Sequence, residues 1–181
     1  MKKYLALSLA LMSTTTLAQV QTGVGVSVQD SGSKIYVPIN ITEEFRIEPT
    51  FSYANQSRDR EDYSEFDFKI YELGIGLFGV KAIAPEFNFL YGLNLGLLRG
   101  SSENKYDGSD NKYESEMKGV SLSHIVGFEY YFVENISIGS EIALVYSKLD
   151  ETDSNSFDDD DDKTTQKTIT TDTSLNIRFY F

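Results

Sequence analysis

The sequence predicts an all-β protein, an eight-stranded antiparallel transmembrane up-and-down β-barrel. Three observations predict this class: apolar and polar residues alternate with a period of two along most of the chain, the number of alternating segments is even, and short turns alternate with long polar connections. A closed antiparallel sheet whose outer face meets lipid has all three properties. The fold class therefore follows from the pattern of the whole chain.

The chain begins with a predicted targeting signal. Two lysines follow the initiating methionine, residues 4–12 are apolar, and Ala18 ends a stretch that suits signal peptidase. We therefore expect residues 1–18 to be a cleavable signal peptide and residues 19–181 to form the barrel. A glutamine and not a cysteine follows the cleavage point, so no lipid-modified N-terminus is expected.

The first four predicted strands are residues 23–28, 35–41, 45–53 and 66–78. In the first two, valines and isoleucines alternate with glycines and polar residues, and the third has a fully apolar and a charged face. The fourth is irregular, because Phe66, Phe68 and Ile70 are out of phase with the apolar residues that begin at Tyr71. We expect a β-bulge near Ile70 and Tyr71 to restore the phase.

The last four predicted strands are residues 87–97, 120–132, 136–146 and 169–181. Each carries leucines, isoleucines, valines or aromatic residues on one face and small or polar residues on the other. The short connections on one side of the predicted barrel are residues 42–44, 79–85 and 133–135, and the long polar ones on the other side are residues 54–65, 100–118 and 149–167. Both chain ends are then expected on the short-turn side, in the periplasm.

The two faces of the predicted strands have opposite roles. The apolar face points outward to lipid, with aromatic girdles at both interfaces, and the polar face fills the lumen, because eight strands leave room for little more than side chains. The predicted turn-side girdle is Phe45, Phe78, Phe87, Phe132, Phe179 and Phe181, and the predicted loop-side girdle is Phe51, Tyr53, Phe66, Phe68 and Tyr146. The predicted lumen charges are Arg46, Glu48, Glu72, Glu129, Glu141 and Arg178. We expect them to form one hydrogen-bonded network that fills the interior.

Composition excludes several functions. The chain has 16 Lys and Arg against 28 Asp and Glu, which argues against a nucleic-acid partner. It has no Cys and one His, so thiolate and multi-histidine metal sites are excluded. No catalytic, cofactor-binding or metal-binding residue is predicted. A secreted soluble β-sandwich is the alternative fold, but its connections would not be long on one side alone.

Two features remain open at the level of sequence. His124, with Ser121, Ser123 and Glu141 nearby, is similar in composition to the site of outer-membrane lipid A deacylases, but alternation places His124 outside and the other three inside. The acidic run Asp158 to Asp162 predicts a solvated loop, with weak binding of a divalent cation as the alternative. In the long connection over residues 100–118, Tyr106 and Tyr113 could contact a host or phage surface.

The last eight residues read Ser-Leu-Asn-Ile-Arg-Phe-Tyr-Phe and end in aromatic, any residue, aromatic. This ending resembles the C-terminal signal read by the barrel-assembly machinery, although Asn176 stands where that signal usually has glycine. With the signal peptide and eight alternating strands, the chain resembles the small outer-membrane barrels of the OmpX and OmpA-transmembrane-domain type. The resemblance implies an outer-membrane location, with lipids, lipopolysaccharide and the assembly machinery as partners.

The resulting hypothesis is a non-enzymatic outer-membrane barrel with a structural or surface-interaction role. It would act through acidic extracellular loops, and through strands that extend above the membrane, on a host, phage or other surface partner. A narrow porin for small solutes or ions is the second hypothesis, since Gly74, Gly76 and Gly96 lighten the interior. A lipid A-modifying enzyme is the third.

Overall fold

The architecture is one antiparallel sheet, seen in a computed structural model that describes residues 20–29, 32–60, 64–106, 112–155 and 162–181. The strands are β1 (Gln21–Gln29), β2 (Gly32–Tyr36), β3 (Ile39–Thr42), β4 (Phe45–Arg60), β5 (Ser64–Ala84), β6 (Phe87–Tyr106), β7 (Lys112–Val133), β8 (Ile136–Asn155) and β9 (Asp162–Tyr180). No helix within these ranges is long and apolar enough to cross a membrane. The predicted signal peptide lies outside the described residues and stays a prediction.

The nine segments form eight strands of the barrel, because β2 and β3 are two halves of one interrupted strand. The break falls at Val37 and Pro38, where proline has no backbone N–H to donate. Hydrogen bonds still cross it: Val37 N donates to Pro49 O, and Gly23 N donates to Pro38 O, each at 3.0 Å. The predicted strand over residues 35–41 is therefore confirmed as one strand of the barrel with a local interruption.

The sheet closes on itself. β2 and β3 both lie between β1 and β4, each later strand pairs antiparallel with the next, and β1 also pairs with β9 from Gly23 opposite Tyr180 to Gln29 opposite Ser174. A closed ring satisfies the backbone groups of every strand at membrane depth, which an open sheet cannot do in lipid. The predicted eight-stranded antiparallel barrel is confirmed.

The strands run further than the sequence predicted. The polar segments 54–65, 100–118 and 149–167, predicted as loops, are largely paired strand. The turn predicted at 79–85 is shorter, since β5 continues to Ala84 and only residues 85 and 86 form the turn. Polar composition misled the prediction, because a strand above the membrane needs no apolar face.

The bulge predicted near Ile70 and Tyr71 is wrong. The registers of β4 with β5 and of β5 with β6 pass through these residues without a shift. Irregularities lie instead beside the turns, between Asn40 and Thr42, Ala82 and Ala84, and Tyr131 and Val133. The regular register makes Ile70 face the lumen, so the change of phase marks the place where the apolar belt ends.

The outer surface is an apolar belt. Exposed side chains on it include Val26, Leu73, Leu95, Leu122, Ile142 and Ile177. Its turn-side rim is aromatic: Phe87 and Phe89 both lie 5.4 Å from Phe128 between ring centroids, and Tyr130 lies 5.2 Å from Phe132. Such a surface is stable against hydrocarbon and costly in water.

Three members of the predicted girdles are placed wrongly. Phe78 is 2% exposed and packs inside the lumen, while Phe66 and Phe68 lie on the inner side of β5 with their rings stacked 6.5 Å apart. The predicted loop-side members Phe51, Tyr53 and Tyr146 are exposed on the rim, and Tyr71, the cross-strand partner of Tyr53, joins them.

A charge in the belt should destabilise the barrel according to depth. Ile142 faces outward near the middle of the belt part of β8, residues 136–146, so Ile142→Arg is expected to lower the free energy of unfolding by about 2–4 kcal/mol. Urea unfolding in lipid vesicles measures it. The matched control is Asn55→Arg on the outer face of β4 beyond Tyr53, expected to cost at most about 1 kcal/mol. Equal losses in the two variants would contradict this placement of the belt.

Candidate functional site: the barrel lumen

The turn-side half of the lumen holds a cluster of buried ionic side chains. Arg46 and Glu48 come from β4, Glu129 from β7, Glu141 from β8 and Arg178 from β9, all from inward-facing positions of the alternation. All five are between 0% and 3% exposed. Removing charges from water is costly unless they are paired and hydrogen-bonded. The partners within the cluster are therefore what makes it stable.

Glu129 is the centre of this cluster. Its carboxylate accepts four hydrogen bonds, from Arg46 Nη2 at 2.8 Å, Ser137 Oγ at 2.6 Å, Tyr180 Oη at 2.7 Å and Tyr131 Oη at 3.3 Å. Charge-assisted bonds of this kind are the stronger class. One acceptor thus joins donors from four strands.

Arg178 links the remaining acids. Its Nη2 donates to Glu141 Oε1 at 2.5 Å, and its Nε lies 3.5 Å from Glu48 Oε1. Arg46 Nη1 lies 3.4 Å from the same Glu48 oxygen. Both guanidiniums also lie over aromatic rings, Arg178 over Tyr36 at 5.0 Å and Arg46 over Tyr180 at 5.6 Å.

Five of the six predicted lumen charges meet in this cluster, and Glu72 does not. Glu72 lies further toward the loops, where it accepts a hydrogen bond from Asn94 Nδ2 at 3.2 Å. The single predicted network is therefore correct for five residues and wrong for Glu72. Sequence analysis missed that Tyr36, Tyr131 and Tyr180 join the cluster, although alternation alone places them on its face.

Above the cluster the lumen is a cavity of about 480 Å³. Its lining is mixed: polar groups from Lys34 on β2, Glu72 on β5, Asn94 on β6 and Ser121 on β7 lie among isoleucine, leucine, valine and alanine side chains. Glu141 lies at its floor and also belongs to the ionic cluster. The cavity therefore has a mixed polar and apolar lining, and the ionic cluster closes it on the turn side.

Glycines make room for large side chains in the lumen. A Cβ on Gly96 would meet the Glu72 carboxylate and the Ser121 hydroxyl, and one on Gly76 would lie 2.5 Å from the Phe78 ring. The small residues thus leave space that other side chains fill. This finding counts against the continuous small-residue lumen on which the channel hypothesis relied.

His124 is confirmed as an outward-facing residue. It is exposed on β7 between Leu93 of β6 and Leu144 of β8, its cross-strand partners. Ser121 and Ser123 are 5% and 7% exposed and point into the lumen. The residues of the deacylase hypothesis therefore lie on opposite faces of the sheet.

The loop candidates lie mostly outside the described residues. Asp158 to Asp161 are not described, and of Asp162, Tyr106 and Tyr113 the structure gives the strand positions alone. Within the described ranges, no group of three or more His, Cys, Asp or Glu side chains could hold a metal ion. The weak-cation hypothesis for the acidic loop stays a prediction.

Known proteins match this chain in structure and not in sequence. No protein-family model and no curated protein sequence matches it. A major outer membrane protein from Thermus thermophilus is 9% identical, with 90% of this chain and 99% of that chain covered and a TM-score of 0.66. Neisserial surface protein A is 16% identical, with 90% and 96% covered and a TM-score of 0.56.

The fold is that of a small outer-membrane β-barrel. The apolar belt and the aromatic rims of this barrel are the surface features that a β-barrel in a membrane requires, in agreement with this fold. At such low identity the likeness concerns architecture and carries no residue-level role.

Removing the central acceptor of the ionic cluster should destabilise the barrel. Glu129→Ala leaves Arg46 Nη2, the Ser137 hydroxyl and two tyrosine hydroxyls without this acceptor, and a loss of about 3–5 kcal/mol in the free energy of unfolding is expected. Urea unfolding in vesicles measures it. Glu116→Ala, at an exposed acid on the outer face of β7, is the control and should change stability by at most about 1 kcal/mol. A small effect at Glu129 would show that the cluster does not hold the lumen together.

Proposed function

We propose that this protein is a non-enzymatic outer-membrane barrel that acts by surface interaction through the strands and acidic loops on its long side. The observation that carries the proposal is the length of the strands. A strand needs about 9–11 residues to cross a membrane, whereas β5, β6, β7 and β8 have 21, 20, 22 and 20. Roughly half of each strand therefore lies beyond what membrane crossing requires.

The extended part of the sheet has two open edges. β1 pairs with β9 as far as Gln29 opposite Ser174, and β2 pairs with β4 as far as Ser33 opposite Tyr53. Beyond these points, among the described strands, β9 continues beside β8 alone and β4 beside β5 alone. Sheet edges are templates for binding another chain, so a protein partner is the kind that this surface favours.

The closed turn-side lumen supports this role over a channel. The ionic cluster and Phe78 occupy the interior below the cavity, and all of them are buried. The position of His124 between two leucines likewise gives no support to lipid A modification. We therefore place the porin second and the enzyme third.

Export and assembly form part of the same proposal. Residues 1–18 would direct secretion, and the C-terminal aromatic ending would bind the barrel-assembly machinery. Phe179 and Phe181 are exposed on the outer face, and Phe181 N donates to Thr22 O at 2.9 Å. The C-terminal strand would thus present this signal at the point where the barrel closes. Outer-membrane lipids and lipopolysaccharide are its other proposed partners.

Trimming the extensions should abolish surface interaction and leave the barrel intact. We would replace residues 57–67, 103–114 and 152–163 each by Asn-Gly, which removes whole cross-strand pairs and keeps the register below them. Cells that display the full-length protein should adhere to host-cell monolayers or to immobilised matrix proteins several-fold above cells without it.

The trimmed variant should adhere at background while its heat-modifiable migration on gels shows a folded barrel. The control is a full-length barrel with the lipid-facing substitution His124→Ala, which should adhere like the parent. Equal adherence of trimmed and full-length proteins would reject the surface-interaction role.

A bilayer recording tests the channel hypothesis separately. The mature protein refolded into planar bilayers should give no discrete conductance, because the ionic cluster fills the lumen. Arg178→Ala and Glu72→Gln variants should be compared with it. Discrete steps in the parent protein that these lumen variants alter would make a channel the leading function.

A further inference from the structure

A basic residue marks the loop-side limit of the apolar belt on five successive strands. On each strand from β5 to β9, the last outward apolar residue is followed, two positions further toward the loops, by an exposed or half-exposed Lys or Arg. The five pairs are Tyr71 and Lys69, Leu97 and Arg99, Val120 and Lys118, Tyr146 and Lys148, and Ile169 and Lys167. We call these five cations the basic arc.

Members of the basic arc lie directly opposite one another across the strands. Arg99 pairs with Lys118, and Lys148 pairs with Lys167. Like charges at directly opposite positions destabilise a sheet unless an anion lies between them. On its other side Lys118 lies opposite Asp150, whereas Arg99 and Lys148 lie opposite the apolar belt residues Tyr71 and Val120. The repulsion is thus offset only in part within the chain, and the arrangement points to an anionic ligand outside it.

Acids lie further from the belt than the cations. Lys69 Nζ is 2.6 Å from Asp67 Oδ2, Lys118 Nζ is 3.4 Å from Glu116 Oε2, and each acid is two residues closer to the loops. Lys148 and Asp150 repeat this order, at 3.5 Å. Exposed ion pairs are weak, so these acids leave the cations able to bind a stronger anion.

The basic arc is confined to one side and one end of the barrel. At the same level the outer face of β4 has Asn55 and that of β2 has Ser33. The described turn-side end is mostly acidic, and its exposed charges are Glu43, Glu44, Glu86, Glu134 and Lys81. A general anchoring role would place cations at both interfaces, and this distribution does not.

We propose that the basic arc is a binding site for the phosphate groups of a lipid headgroup in the leaflet on the loop side. The five cations lie where headgroup phosphates meet the hydrocarbon boundary, and their outward side chains can reach several phosphates at once. The strands β5 to β9 would hold such a lipid, while the β1 to β4 side would not. This inference rests on the proposed outer-membrane location and lipid partners, for which it names the site, and it is independent of the surface-interaction role.

Native mass spectrometry of the refolded mature protein in nanodiscs tests the site. The probes are bis-phosphorylated lipid A and the same lipid after removal of both phosphates. The parent protein should retain the phosphorylated lipid and lose it as salt is raised, and the dephosphorylated lipid should bind at the level of neutral lipid. In the variant Arg99→Gln, Lys118→Gln, Lys148→Gln, Lys167→Gln, affinity should fall by about fivefold for each cation removed.

The matched control removes the neighbouring acids instead, as Asp67→Asn, Glu116→Gln, Asp150→Asn, and should bind at least as tightly as the parent. Equal retention of both lipids by the parent protein would overturn the proposal without any variant. It would also be overturned if the acid variant lost the lipid as the cation variant does. Displacement by millimolar inorganic phosphate would show a site for free phosphate and not for a lipid.

Discussion

The structure depends on the closure of the sheet between β1 and β9. The seven residue pairs from Gly23 opposite Tyr180 to Gln29 opposite Ser174 convert nine strands into a ring. In hydrocarbon every unpaired backbone group costs several kcal/mol, so an open edge at this depth would be unstable. Because β1 is only nine residues long, closure is complete within the belt and ends above it. The open edges outside the membrane follow from the same short strand.

Closure also decides what the two faces must contain. The outer face meets lipid and is apolar, so the interior cannot use the same side chains for cohesion and relies on polar bonds. In the turn-side lumen Glu129 provides these polar bonds, since it accepts hydrogen bonds from Arg46, Tyr180 and Ser137 on three other strands. Buried ions add little stability when compared with apolar packing, but they require one arrangement of partners. The backbone hydrogen bonds join neighbouring strands, and the ionic cluster in the interior additionally fixes the position of these strands relative to one another.

Alternation predicted the fold and the direction of most side chains, including those of His124, Ser121 and five clustered charges. It failed at the loop-side end of β5, where the apolar residues lie on the inner face of the strand and not on the outer one. Phe66, Phe68 and Ile70 are apolar on the inner side of β5, and the pattern was interpreted as a bulge because outward was equated with apolar. Phe78 failed for another reason: the alternation that begins at Tyr71 already places it on the inward face, but it was assigned to the girdle because it is aromatic and lies near the strand end. Gly76 and Gly92 leave the space that its ring fills.

Closure of the sheet explains the apolar belt, and filling of the interior explains the turn-side lumen. The loop-side half of β5 to β8 is explained by neither, because these strands exceed a membrane crossing by roughly ten residues each. Ordering those residues costs conformational entropy and adds exposed backbone edges that proteins usually protect. A segment that is ordered without a structural need is where a function is expected. The basic arc lies where this segment leaves the belt, so a bound lipid headgroup there would hold the base of the extended sheet at a fixed height above the membrane.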